Sequence, residues 1–152
     1  VTAGLARGRT NISPHILHDP SRAVQNPARL DLPVSLLTPF YAGLQAVPIT
    51  GTARIMNTPF MKIQGLTIAG KTGTAQKRTP KGTLNFAWFV GYAPVENPRI
   101  AIAVIMEGDT PGEDTGGGRF AAPIANAVLK VWHAKQAAPA VDSPAEAPSP
   151  SP

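Results

Sequence analysis

Between Phe86 and Tyr92 the chain reads Phe-Ala-Trp-Phe-Val-Gly-Tyr, and between Arg99 and Glu107 it reads Arg-Ile-Ala-Ile-Ala-Val-Ile-Met-Glu. Aromatic and β-branched residues at this density predict two strands. In the second run large and small apolar residues alternate. Ile100, Ile102, Val104 and Met106 share one face, and Ala101, Ala103 and Ile105 share the other. Both faces are apolar, which predicts a strand covered on both sides. The turn-rich Ala-Pro-Val-Glu-Asn-Pro at 93–98 separates the two runs by so few residues that they should pair as an antiparallel hairpin. A third strand is predicted within 66–76, apolar at first and then changing to Gly-Lys-Thr-Gly-Thr.

The remaining pattern is helical or irregular. Gly8 follows Ala6 and Arg7 and can end a helix with a positive φ, and Pro14 favours an extended Ser13. Residues 19–33 are polar and proline-broken and read as a loop. From Pro33 onward Leu36, Phe40, Leu44 and Val47 form one apolar stripe at helical spacing. Pro39 should kink that helix or delay its start, and Pro48 with Gly51 should end it. Gly116-Gly117-Gly118 reads as a flexible break. After it Phe120, Ile124, Ala127 and Val131 fall on one helical face that would cover the sheet, with Pro123 tolerable in the first turn. From about Ala137 the chain turns to alanine, proline and serine with two acids, a composition that buries too little to order itself. The expected division is therefore a folded domain over 1–136 and a disordered tail over 137–152.

At 152 residues and 43% hydrophobic, the chain can bury a core of ordinary domain size. Its net charge is +5, but only Lys77, Arg78 and Lys81 cluster, and no aromatic residue interleaves with them. That pattern argues against a nucleic-acid surface. There is no cysteine, which removes disulfides, thiol nucleophiles and zinc ribbons. His15, His18 and His133 stand in no acid–base or ligand constellation, so no metal or cofactor is expected. No apolar run approaches the ~20 residues of a membrane span. The first residue is Val1, and a start on the tail of a helix suggests a sequence beginning inside a longer one.

One run departs from core and loop alike. Gly70-Lys71-Thr72-Gly73-Thr74 sets a cation, two hydroxyls and two glycines at the end of an apolar strand. Glycine admits a ligand close to the backbone, and the cation and hydroxyls suit a carboxylate laid along a strand edge. The bland alternative is a strand edge closing in a turn. Gly65 to Thr72 also matches the phosphate-binding pattern G-x-x-x-x-G-K-[ST]. That motif needs a compact turn followed by a helix. Here the intervening Leu-Thr-Ile-Ala favours extended chain, and Gly73, Pro80 and Gly82 interrupt any helix.

Ile-Ala-Gly-Lys-Thr-Gly-Thr-Ala-Gln (68–76), Ala-Trp-Phe-Val-Gly-Tyr-Ala-Pro (87–94), Asn-Pro-Arg-Ile-Ala-Ile-Ala-Val (97–104) and the Gly-Gly-Gly to Ala-Ala-Pro-Ile-Ala stretch (116–125) together resemble the transpeptidase domain of class B penicillin-binding proteins. Gly51-Thr52-Ala53 and Pro14-His15-Ile16-Leu17 fit upstream landmarks, so the resemblance covers about residues 1–135. The aromatic and triple-glycine blocks look more like the elongation, or rod-shape, branch than the division branch. The resemblance implies an α+β fold of αβα layers, an antiparallel sheet flanked by helices and shared with serine β-lactamases, here with its N-terminal part missing. It implies acylation of a serine by the D-Ala-D-Ala end of a peptidoglycan stem peptide, transfer to an amine, and inhibition by β-lactams. A β-lactamase or β-lactam sensor of the same fold is the alternative. By the same resemblance Lys71 sets the electrostatics of the site, Thr72 and Thr74 bind the donor carboxylate, the Thr74 N–H serves the oxyanion hole, and Gly73 lets the substrate pair with the strand. A glycosyltransferase partner and a domain on the outer side of the bacterial inner membrane, anchored upstream of Val1, are implied as well. Trp88 and Phe89 are expected in the core.

The family's nucleophile lies in Ser-x-x-Lys. Three residues beyond Ser13, Ser21, Ser35, Ser143 and Ser149 stand Ile16, Val24, Thr38, Glu146 and Pro152, and nothing stands three beyond Ser151. Ser-x-Asn is absent too. The chain alone is therefore expected to form no acyl-enzyme, with the nucleophile upstream.

Overall fold

In the computed structural model, residues 2–6, 8, 28, 29 and 31–137 are described. Two helices come first, α1 (Thr2–Ala6) and α2 (Val34–Ile49), then a 3-10 turn (Arg54–Asn57), three strands β1 (Ala69–Thr79), β2 (Gly82–Ala93) and β3 (Ile100–Glu107), and helix α3 (Ala121–Ala137). The strands form one antiparallel sheet in the order β1-β2-β3. The hairpin expected over 86–107 is present, and the third strand lies where the apolar run at 66–76 indicates. β1 runs extended through the whole Gly-Lys-Thr-Gly-Thr segment to Thr79, with no helix beginning at Lys71, so the phosphate-loop geometry is not formed.

Register decides which residues share a face. Thr72 stands opposite Phe89, and Phe89 opposite Val104. That inner face carries Ala87, Phe89 and Ala93 from β2, with Ile100, Ile102, Val104 and Met106 from β3. They pack with Ala53, Met56 and Ile63, and with Ala121, Ala122, Ala125 and Leu129 of α3. Phe89 and Leu129 are the largest fully buried side chains among the described residues. The Phe89 ring lies over the cross-strand pair Gly70–Gly91, where a Cβ at either position would run into it. Phe89 is thus core as expected.

Several expectations are corrected. Trp88 is 37% exposed, because it alternates with Phe89 onto the outer face. On that face Ala101, Ala103 and Ile105 are exposed too, so the outer side of β3 is only partly covered among the described residues, by α1 near the start of the strand. α1 lies against β2 and β3, and the Tyr41 hydroxyl of α2 donates to the Leu5 carbonyl at 2.7 Å. This arrangement covers the Tyr92 end of the outer face and leaves the Trp88 end open. In α3 the buried set is Ala121, Ala122, Ala125, Asn126 and Leu129, whereas Ile124 and Val131 are exposed. The start of the helix approaches the sheet so closely that alanines face it, and further along Leu129, not the stripe of Ile124 and Val131, is the large side chain turned inward. Asn126 is anchored there by its amide, which donates to the Met61 carbonyl at 2.8 Å. Pro39 neither delays nor ends α2, and Pro48 lies inside its last turn. Leu36 and Phe40 of the α2 stripe are exposed, and Val47 is the member that packs on the core. Gly8 takes a φ of 60° and its N–H bonds the Leu5 carbonyl, as a helix end requires. The 137–152 tail apart from Ala137, as well as His15, His18 and the Pro14 segment, lies outside the described residues.

Candidate active site

β1 is an edge strand: it pairs with β2 and with no other strand among the described residues. Where its backbone groups point follows from β2. The carbonyls of Thr83 and Asn85 accept from the N–H groups of Gly112 (3.0 Å) and Gly108 (2.8 Å), on the side of β2 away from β1. Backbone direction alternates along a strand, so Ala87 and Phe89 turn the same way. Their partners across the ladder, Thr74 and Thr72, therefore turn their own N–H and C=O groups out of the free edge of β1. The Lys71 ammonium folds over this edge and donates to the outward Thr72 carbonyl at 2.5 Å.

The four residues read from the sequence are thus brought together on one edge. Lys71 and Thr74 are exposed, Gly73 is half-buried, and Thr72 is 7% exposed. The Thr72 hydroxyl meets the Thr52 hydroxyl at 2.5 Å. Thr52 is a partner that periodicity could not reveal; the Gly51-Thr52-Ala53 triplet was its only signal. That triplet is fixed at the end of α2, where the N–H groups of Gly51 and Ala53 bond the carbonyls of Ala46 (2.9 Å) and Val47 (3.0 Å).

Gly73 and Gly117 act differently. A Cβ on Gly73 would lie 3.5 Å from the Trp88 Cβ, an ordinary contact, and its φ is not in the left-handed region. The fold itself therefore does not demand glycine at 73. A Cβ on Gly117 would fall 2.7 Å from the Gly73 carbonyl oxygen and 3.0 Å from its nitrogen, and closer still to the Trp88 oxygen. The triple glycine is therefore a close-packed strap over the Gly73–Trp88 pair rather than the flexible break its composition suggests. Gly118 presses likewise on the Thr52 carbonyl, so the strap ties the site's two segments together. Ser35 is the one serine among the described residues; it is exposed in the first turn of α2. His133 of α3 approaches Gly65, away from the strand edge.

A three-stranded antiparallel sheet with helices on both faces, carrying Lys-Thr-Gly on its open edge, has the β-lactamase/transpeptidase fold. The family described as penicillin-binding protein transpeptidase domain matches residues 4–130, and the chain belongs to it. Peptidoglycan D,D-transpeptidase PbpA of Mycobacterium tuberculosis (strain H37Rv) is 42% identical over 69 residues, covering 45% of this chain and 14% of that protein. Peptidoglycan D,D-transpeptidase MrdA of Acinetobacter baumannii is 36% identical over 95 residues, 55% of this chain and 12% of that protein. The match thus spans 12–14% of the length of these curated relatives. Among solved structures, PBP2 of Pseudomonas aeruginosa in complex with WCK 5153 is similar at a TM-score of 0.64 and 32% identity, over 86% of this chain and 28% of that one. The imipenem acyl-enzyme complex of penicillin-binding protein A from M. tuberculosis is similar at a TM-score of 0.55 and 28% identity, over 85% and 29%.

Proposed function

We propose that this chain supplies the Lys-Thr-Gly half of a peptidoglycan D,D-transpeptidase of the elongation branch, and that the attacking serine and its lysine lie outside these 152 residues. The observation that carries the reading is the open edge of β1, where the backbone of Thr72 and Thr74 faces outward beside a glycine that the fold does not require. A peptide can add to such an edge as a further strand. In this reading the Thr72 and Thr74 hydroxyls hold the donor's terminal carboxylate. Lys71 provides the positive field, and the outward Thr74 N–H stabilises the oxyanion as the serine oxygen adds to the penultimate carbonyl. The terminal D-Ala leaves as an amine; an amine of a neighbouring stem peptide then takes the acyl group and releases the serine. β-Lactams acylate the same serine. The reaction sits on the outer side of the bacterial inner membrane, beside a glycosyltransferase that supplies the glycan. The relatives named as D,D-transpeptidases, MrdA among them, support both the activity and the branch.

The test is labelling with a tagged penicillin, followed by intact mass. Labelled protein carrying this sequence is expected at a mass well above 15.9 kDa. The purified 152-residue chain is expected to take no adduct. An adduct on the chain alone would refute the assignment of the nucleophile, and a source protein that takes no label would refute the activity.

A further inference from the structure

Thr52, whose hydroxyl touches Thr72, also lines a cavity of about 550 Å³. Arg54, Asn57, Thr58 and Arg119 line it as well. The two arginines come from distant parts of the chain. Arg54 opens the 3-10 turn and Arg119 follows the glycine strap, and the packing of Gly118 on the Thr52 carbonyl brings them to one cavity. The Arg119 guanidinium lies 5.1 Å from the Phe120 ring centroid, a cation–π contact that steadies it. No acidic side chain lines the cavity, and neither arginine has an acidic partner among the described residues. Guanidinium groups only donate hydrogen bonds, and their planar fork matches a carboxylate. Two of them beside the Asn57 amide form a donor set for an anion, while the Thr58 hydroxyl donates to the Ile55 carbonyl at 2.8 Å.

We propose that this cavity is a subsite for a second carboxylate, carried by the same peptide whose first carboxylate lies at Thr72 and Thr74. The inference rests on the transpeptidase reading of the strand and adds a charge preference to it. Thr52 is the wall common to both places, so the two carboxylates of a terminal acidic residue would lie on either side of it. Both arginines are exposed, so solvent screens the attraction and the preference is modest.

The test uses the 152-residue chain, nitrogen-15 labelled, and three probes: N-acetyl-D-Ala-D-Ala, N-acetyl-D-Ala-D-Glu and N-acetyl-D-Ala-D-Gln. The last two have nearly the same shape and differ in the second charge. The D-Glu peptide is expected to bind about tenfold tighter than the D-Gln peptide, the scale of one screened charge-assisted hydrogen bond. It should also move the side-chain N–H signals of Arg54 and Arg119. Arg54→Gln and Arg119→Gln should each reduce that preference and leave the N-acetyl-D-Ala-D-Ala affinity unchanged. Equal affinities for the two peptides with unmoved arginine signals in the unsubstituted chain overturn the proposal, whether or not the variants fold. If no peptide moves the Lys71–Thr74 amides, the reading of the strand has failed instead. Glutarate still moving the arginine signals would then support an anion site while overturning its link to the strand.

Discussion

Gly117→Ala tests whether the glycine strap is a packed part of the site. The new Cβ would fall 2.7 Å from the Gly73 carbonyl oxygen and 3.0 Å from the Gly73 nitrogen. These are backbone atoms held in the β1–β2 ladder, so no side chain can swing away to make room. Overpacking a tight site costs typically 1–3 kcal/mol, and a rigid backbone neighbour places this case near about 3 kcal/mol. With a urea m-value of roughly 2 kcal/mol/M, the unfolding midpoint should fall by roughly 1.5 M at unchanged m. Hydrogen exchange at Gly73 and Trp88 should accelerate more than at Ile102, because the strap sits over that one pair. Gly43→Ala is the matched control. Gly43 lies inside α2 with open space around its Cβ position, so alanine should raise stability by roughly 0.5–1 kcal/mol. A Gly117→Ala variant within about 0.5 kcal/mol of the parent would refute the packing argument.

Three further outcomes are expected. Gly73→Ala, which meets only an ordinary contact with Trp88, should leave stability unchanged or raise it by about 0.4–1 kcal/mol in thermal melts, while weakening binding of N-acetyl-D-Ala-D-Ala to the strand edge. Leu129→Ala removes a fully buried side chain between α3 and the sheet and should cost roughly 2–5 kcal/mol by denaturant titration. Burial raises the Tyr92 phenol above its ordinary value of 10, with Tyr41 nearby adding to the shift. The unfolded chain ionises first, so Tyr92's contribution to stability is intact below pH 10 and is lost as the pH climbs through the higher folded value; Tyr92→Phe should remove that part of the alkaline decline.

The strands were legible because β2 and β3 announce themselves by composition, and because the short 93–98 turn leaves only a hairpin. The chemistry of Lys71, Thr72, Gly73 and Thr74 was legible as well. Their presentation was not, because which backbone groups face outward depends on the bonds of Gly108 and Gly112 to β2, residues remote from the motif. The sequence misled at α3 for a related reason. Periodicity weights large residues and selects Ile124 and Val131, while the helix packs through Ala121, Ala122 and Ala125 because the strap holds it close to the sheet. The double coverage expected of β3 fails at Ala101, Ala103 and Ile105, since alternation reports apolar character and not what lies above it. Arg54 and Arg119 stand 65 positions apart, and no local pattern links them.

The place of α3 in the chain has a consequence for how the molecule is made. Each strand pairs with its neighbour in sequence, so the sheet can zip up from local contacts. Its inner face, with Phe89 at the centre, closes only when Leu129 and the alanines of α3, the last described element along the chain, dock. Until then the unfinished sheet shows an apolar surface to its surroundings, the kind of surface through which partly folded chains aggregate.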